Sequence, residues 1–270
     1  MLSPNFFNTI FIFPILNLII AFYKFFLLIK IPGALGLAII ALTVTIRLIL
    51  QPFFRKQIET TKKMQDMKPH LDKISAKHKK DPKKLQAEQM RLYQEHGINP
   101  ASGCLIMIIQ MPIFIALYNT LSILLNSGSP KTIMAINKVV YFAFLKIDSI
   151  NPWFLGLNLT WSPTKAAQLV YYLVAVITAV LQYLQINSSM ATNPTPAVVP
   201  SDKDKSGTEK KTDGEDFQKA MSMQMKFLFP AMIGWASLKL PIGLALYWNI
   251  FSIFSIMQYK SQNTLTKNKV

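Results

Sequence analysis

Five stretches of the chain are apolar for most of their length: Pro32–Phe54, Cys104–Leu125, Ala166–Ile186, Phe227–Leu238 and Ile242–Tyr259. A helix crosses the hydrocarbon core of a bilayer in about 20 residues, with a range near 17–25. The fourth run reaches that length only by including Met221–Lys226. A further stretch, Ile10–Ile29, is apolar enough to span, but Pro14, Asn17 and Lys24 interrupt it and only Lys30–Gly33 separates it from the next run. It either lies in the interface as an amphipathic helix or forms a tight hairpin with the first span, and periodicity does not decide between them. Between the first two runs the pattern changes. Met64, Met67, Leu71, Ile74 and His78 recur at alternating spacings of three and four, the seam of a short coiled coil. Asp81 suits an N-cap and Pro82 the first helical position. Leu85, Gln89, Leu92 and His96 repeat the spacing, and Gly97 stops the helix. Residues 55–100 therefore predict a basic helical hairpin, either a docking surface or a rigid spacer. Residues 193–216, rich in Pro, Asp, Lys and Gly, predict a disordered loop.

Composition agrees with an all-α polytopic membrane protein in one domain. Of 270 residues, 51% are hydrophobic and only 16% charged, below the usual share for a soluble domain. Charge then sets direction, because Lys and Arg accumulate on the cytoplasmic side. The loops divide the Lys and Arg residues 21 against 7. That split predicts five spans with the N-terminus outside and the C-terminus in the cytoplasm. No basic residue precedes Lys24, so no secretory signal is expected, and no cysteine near the N-terminus offers a lipid anchor. A net charge of +16, with most of the Lys and Arg on one side of a membrane, fits anionic lipid and ribosomal RNA better than DNA.

Several chemistries are not expected. Cys104 is the lone cysteine, which excludes an internal disulfide. His70, His78 and His96 share one polar segment without cysteine neighbours, so no metal site is expected. Phosphate-binding loops, dinucleotide fingerprints, nucleophile elbows and H-E-x-x-H are all missing from the sequence. The chain thus reads as a non-enzyme without a cofactor. The predicted spans also contain no Asp or Glu, which argues against an ion-coupled pump.

Against that background "TVTIRLILQPF" (43–53) stands out, because Arg47 lies inside an apolar run. At 1.5 Å per residue it is roughly 10 Å from the cytoplasmic end of its span. Thr43 and Gln51 flank it at i−4 and i+4, giving that helix one polar face. Gln110 falls at a similar depth on the second span. Gln182 and Gln185 lie near the end of the third, and Tyr247, Trp248, Asn249 and Gln258 along the fifth. An arginine without a carboxylate, among amides and aromatics, predicts a hydrated cavity open to the cytoplasm. As a hydrated point charge it would tolerate lysine in its place.

These residues also carry a resemblance. "LAIIALTVTIRLILQPFFRKQ", the hairpin ending in "YQEHGINPASGCLIMIIQMPIFIALY" and the closing "LKLPIGLALYWNIFSIFSIMQ" resemble the YidC/Oxa/Alb family of membrane protein insertases, in its short bacterial form. The resemblance implies five transmembrane helices around a cytoplasm-open hydrophilic groove, with an outer interfacial helix over 1–33. The spans would then be 34–54, 101–125, 166–188, 221–239 and 241–260. Between them lie the cytoplasmic hairpin (55–100), an extracytoplasmic loop (126–165) and a disordered cytoplasmic loop (189–220), with 261–270 as a tail. It further implies that Arg47, Gln110, Gln185 and Trp248 line the groove, with Gln185 preferred to Gln182. Thr43, Gln51, Tyr247 and Asn249 complete the candidate client-contacting set. The expected activity is insertion and folding of client proteins in the bacterial cytoplasmic membrane, without nucleotide hydrolysis. Nascent membrane proteins, the ribosome, the Sec translocon and anionic lipids are the implied partners. The tail "SQNTLTKNKV" is too short for the long ribosome-binding helix of other members. Met64, Met67, Met90, Met221, Met223 and Met225 suit either internal packing or contact with varied apolar clients. A small channel or solute transporter is the alternative reading.

Overall fold

The computed structural model describes residues 2–78, 81–97, 101–126, 128–190 and 214–267; over 101–110, 189–190, 214–225 and 262–267 it describes the backbone alone. The N-terminal apolar stretch is helical, entering through a π-helical turn (Asn8–Ile12) into α1 (Phe13–Leu28). Lys30 at φ 56° and Gly33 at φ 78° reverse the chain. The next helix, α2 (Ala34–Ile49), then packs back along α1. Leu16, Ile19, Ile20 and Tyr23 of α1 join Leu35, Ala38, Ile39 and Leu42 of α2 in the main core.

Proline punctuates the arm that follows α2. Pro52 has no amide to donate, so the helix cannot continue through it unbroken. The chain breaks at Leu50 and leaves at 58° in α3 (Gln51–Asp66). The last residues of the first apolar run thus belong to a second helix. Pro69 does the same near the start of α4 (Lys68–Lys77). The seam read as one helical arm is therefore two, divided at Met67. Asp81 caps α5 (Pro82–Glu95), its Oδ1 accepting from the Lys84 amide at 3.1 Å. Met64 and Met67 are buried against Tyr93, with Leu71 and Leu92 around them. Burial pushes the Tyr93 phenol above its ordinary pKa.

Helix α6 (Ala101–Leu125) leads into a connection that is more ordered than a loop. It contains α7 (Pro130–Val139), a 3-10 turn (Ala143–Leu145), a two-residue hairpin of β1 (Trp153–Phe154) and β2 (Leu157–Asn158), and α8 (Pro163–Ala166). The remaining helices are α9 (Leu169–Met190), α10 (Gly214–Lys239) and α11 (Ile242–Lys267). Helix α11 packs between α2 and α9, and α10 covers another side of α9. Of the loop expected to be disordered (189–220, with 193–216 at its centre), 191–213 lies outside the described residues, while 189–190 and 214–220 belong to α9 and α10. Among the described residues three helices, Asn8–Leu28, Leu169–Ser188 and Ile242–Ser261, are long and apolar enough to cross a membrane, and the bent α2–α3 pair would make a fourth.

Buried polar side chains fasten the helices to the α6–α9 connection. Asn17 donates from Nδ2 to the Val139 carbonyl at 3.1 Å and accepts from the Tyr141 amide at 2.6 Å. Six residues on, the Tyr23 hydroxyl accepts from the Asn151 amide at 2.9 Å. The Tyr171 hydroxyl of α9 accepts from the Asn158 amide at 2.8 Å. The amides of Ile242 and Gly243, in the first turn of α11, donate to the Trp161 and Leu159 carbonyls at 2.9 and 3.0 Å. Phe154 lies against Gly33 and Gly36, where any side chain would meet its ring. Replacing Asn17 by leucine keeps the branched shape but strands a backbone donor and acceptor. Thermal unfolding in detergent should show a loss of about 2–3 kcal/mol.

Candidate functional site

Arg47 sits three residues before the α2–α3 bend, so its side chain reaches the place where α2 and α11 meet. It is only 4% exposed. Its guanidinium donates from Nη1 to Gln258 Oε1 at 3.2 Å and from Nη2 to the Phe251 carbonyl at 3.2 Å. Nη2 also donates to the Ser255 hydroxyl, which itself donates to the Phe251 carbonyl at 2.9 Å. The rings of Phe251 and Phe54 face the cation, their centroids 3.6 and 4.6 Å from Cζ. Such contacts supply about 2 kcal/mol or more each when desolvated. Nε is buried without a hydrogen-bond partner.

The space beside this cation is small. Thr43, Ile46, Leu50, Phe54, Ile113, Leu117, Tyr247 and Phe251 enclose a chamber of about 10 Å³ with it, room for roughly one water. Beyond Phe54 lies a wider vestibule of about 190 Å³, lined by Gln51, Phe54, Arg55, Ile58, Met257, Gln258 and Ser261. Phe54 borders both spaces, and Gln258 lines the vestibule while holding Arg47.

Among the described residues, the groups that meet the Arg47 guanidinium are a hydroxyl, a carbonyl, an amide and two ring faces, where a wide hydrated cavity was expected. The expectation that lysine would serve equally changes with it. An ammonium is a compact, strongly hydrated charge that cannot present a planar fork or stack.

The other candidate residues divide between neighbouring places. Thr43 and Tyr247 line the chamber, and Thr43 Oγ1 donates to the Ile39 carbonyl of its own helix at 2.7 Å. Gln51, carried past the bend, lines the vestibule. Trp248 is buried on the α6 side, stacked on Phe114 with centroids 6.2 Å apart. Gln185 Oε1 and Asn249 Oδ1 are buried without hydrogen-bond partners, and neither residue lines the chamber or the vestibule. Gln182, the less favoured amide, is the one that bonds across helices: its Oε1 accepts from Ser252 at 3.0 Å. The Gln110 side chain lies outside the described residues. Ser252, Ser255 and Phe251 escaped the sequence reading, although Ser252, Ser255 and Gln258 repeat every three residues on α11, a stripe that marks one helix face.

Comparison with known proteins places this arrangement. The family described as 60Kd inner membrane protein matches residues 27–269. A "Membrane protein insertase YidC" of Oceanobacillus iheyensis is 33% identical over 262 residues, covering 95% of this chain and 83% of that protein. "Inner membrane ALBINO3-like protein 2, chloroplastic" of Chlamydomonas reinhardtii is 34% identical over 232 residues, 85% of this chain. The match spans about half, 50%, of the Chlamydomonas protein's length. A "Membrane protein insertase YidC" of Caulobacter vibrioides is 46% identical, but over 110 residues, 17% of its length. With its long apolar helices the chain is a multi-pass membrane protein, and it belongs to the 60Kd inner membrane protein family, the YidC/Oxa/Alb group.

Proposed function

We propose that the chain inserts and helps fold client proteins in the bacterial cytoplasmic membrane without nucleotide hydrolysis. The observation that carries this reading is a buried cation between α2 and α11, one ring away from a vestibule bordered by Gln51, Arg55, Gln258 and Ser261, in a chain of this family. A client's apolar segment partitions along the lipid-facing sides of α9 and α11, while its polar flank enters through the vestibule. Leu169, Leu173, Val176, Ile177 and Val180 of α9 are exposed, as a lipid-facing surface requires. A twenty-residue client helix gains roughly 6–12 kcal/mol from partitioning alone, so no nucleotide is needed. An acidic flank is drawn toward Arg47, and a membrane potential positive outside adds about 2.3 kcal/mol per charge per 100 mV.

In this arrangement α2, α6, α9, α10 and α11 span, the α3–α5 hairpin stands in the cytoplasm, and the α6–α9 connection lies outside. The 21-to-7 division of basic residues supports that orientation. Helix α1 lies obliquely in the outer leaflet, since Asn17 and Tyr23 both bond to the α6–α9 connection. The hairpin recruits clients or the ribosome, and the Sec translocon and anionic lipids are further partners. Reconstitution into sealed vesicles tests the whole reading. Insertion of a single-span client without nucleotide is expected; solute flux without insertion would instead make the cavity a channel. Deleting 72–95 with a short flexible bridge is expected to slow insertion severalfold while leaving the melting temperature of the membrane core unchanged. Insertion at the normal rate would reduce the hairpin to a spacer.

A further inference from the structure

Arg47 is the residue through which the proposed activity selects acidic clients, yet its guanidinium is already engaged within the chain. Ser255 and Gln258 accept from it with their side chains, the Phe251 carbonyl accepts alongside them, and Phe54 stands between it and the vestibule. All three acceptors belong to α11 and all are neutral. Resting on the insertase reading above, we propose that Ser255 and Gln258 are positioning residues that set the threshold for client selection. They hold Arg47 against α11, so that only a group binding guanidinium better than they do can take it over.

A carboxylate is such a group. It presents two oxygens to the planar fork and forms charge-assisted, bidentate bonds about twice as strong as neutral ones. A client amide or hydroxyl offers no more than α11 already supplies, so it has no means of displacing Gln258 and Ser255. The geometry gives the carboxylate a route. Among the described residues, Gln258 is the hydrogen-bond partner of Arg47 that also lines the vestibule, and Gln51, Arg55 and Ser261 surround the same space with donors. A carboxylate waiting there is held by Arg55 and exchanges with the Gln258 carbonyl oxygen first. The Ser255 hydroxyl then keeps its own bond to the Phe251 carbonyl, so releasing the arginine leaves that hydroxyl with a partner. No covalent step is involved; one set of acceptors replaces another.

The strength of this hold then controls discrimination in opposite directions. Weakening it lets acids engage Arg47 at lower cost and raises the preference for acidic clients. Strengthening it with an internal carboxylate removes the preference, because the client's acid no longer offers an advantage. Two single-span peptides, identical except for two Asp or two Asn residues in the translocated flank, provide the probe. Their insertion into sealed vesicles is read by protease protection of the flank. Ser255→Ala is expected to raise the Asp-to-Asn insertion ratio by about tenfold or more, the scale of one lost hydrogen bond to a charged group. Gln258→Glu is expected to bring the ratio to about one, the internal acid having claimed the fork. Because Gln258→Glu gives the buried cation a better partner, it folds even if Ser255→Ala does not, and its ratio alone then decides. Variants that change both peptides in equal proportion would overturn the inference and leave Ser255 and Gln258 as simple ties between helices. If wild-type protein inserts neither peptide, the insertase reading itself falls.

Discussion

Replacing Arg47 by methionine is expected to leave the protein as stable as before, or more so, while insertion of acidic-flank clients falls about tenfold or more. The first half follows from the cost of holding an unpaired cation away from water. Among the described residues Arg47 has no carboxylate partner, only neutral acceptors and ring faces, and its Nε is unbonded. Exchanging buried charged groups for apolar side chains of similar volume is often neutral or stabilising, by about 1–4 kcal/mol. Methionine is adaptable enough to fill the space between Phe54 and Phe251. Ser255 retains its bond to the Phe251 carbonyl, and Gln258 borders the vestibule, where water satisfies it. The second half follows from losing a charge-assisted contact of about 1.5–3 kcal/mol with the client. Lysine is expected to behave differently from both. It keeps the charge but gives up the fork and the stacking, so Arg47→Lys should lower stability by roughly 1–3 kcal/mol and preserve only part of the activity. Melting temperatures in detergent, measured beside insertion of matched acidic and neutral clients, decide the matter. Methionine more destabilising than lysine would mean that the arginine is there to hold the helices together.

The largest effect on folding is expected at Gly36, far from the arginine. Phe154, from the β-hairpin of the α6–α9 connection, lies over the first turn of α2 so closely that a Cβ on Gly36 would overlap its ring at Cγ, Cδ1 and Cδ2. A ring carbon is not the free end of a flexible side chain, and its backbone is paired between strands. Gly36→Val therefore has to push the hairpin off the helix, at a cost of about 3 kcal/mol or more. Phe154→Ala in the same chain should recover part of that loss, because it removes the obstacle. Two losses that simply add would show that the ring and the helix do not depend on each other.

The parts of this molecule written into neighbouring residues were legible in the sequence. Asp81 followed by Pro82, with Gly97 after Glu95, marks the ends of α5 because capping and turn chemistry act within a few positions. The break at Met67 was equally local, since Pro69 is plain to see, but an unbroken three-and-four spacing masked it. Hydrophobic periodicity records which face is buried and is silent on whether the axis bends. The Arg47 site divides in the same way. That a cation is buried could be read from one stretch of chain. Its partners could not, because Ser255 lies 208 residues away and a serine on an apolar helix carries little signal alone. The expected wet cavity came from reasoning that only water could satisfy such a charge. Among the described residues a hydroxyl, a carbonyl, an amide and two phenylalanine rings also meet it, and nothing in their spacing along the chain announces it.

The short corner between α10 and α11 has a mechanical consequence. With the amides of Ile242 and Gly243 tied to the Trp161 and Leu159 carbonyls, and Thr164 Oγ1 donating to the Leu238 carbonyl at 3.0 Å, the N-terminal end of α11 is a fulcrum. Those ties oppose sliding along its axis and leave tilting about this end as the motion they resist least. Gln258 lies about 24 Å down the arm and Trp248 only about 9 Å, at 1.5 Å per residue. A tilt of about 5° therefore carries Gln258 roughly 2 Å while moving Trp248 less than about 1 Å. The arm works as a lever whose travel is greatest where it meets Arg47 and the vestibule. The same stroke leaves the stack of Trp248 on Phe114 nearly still, so the vestibule can widen while the helix contacts near the α10–α11 corner stay in place.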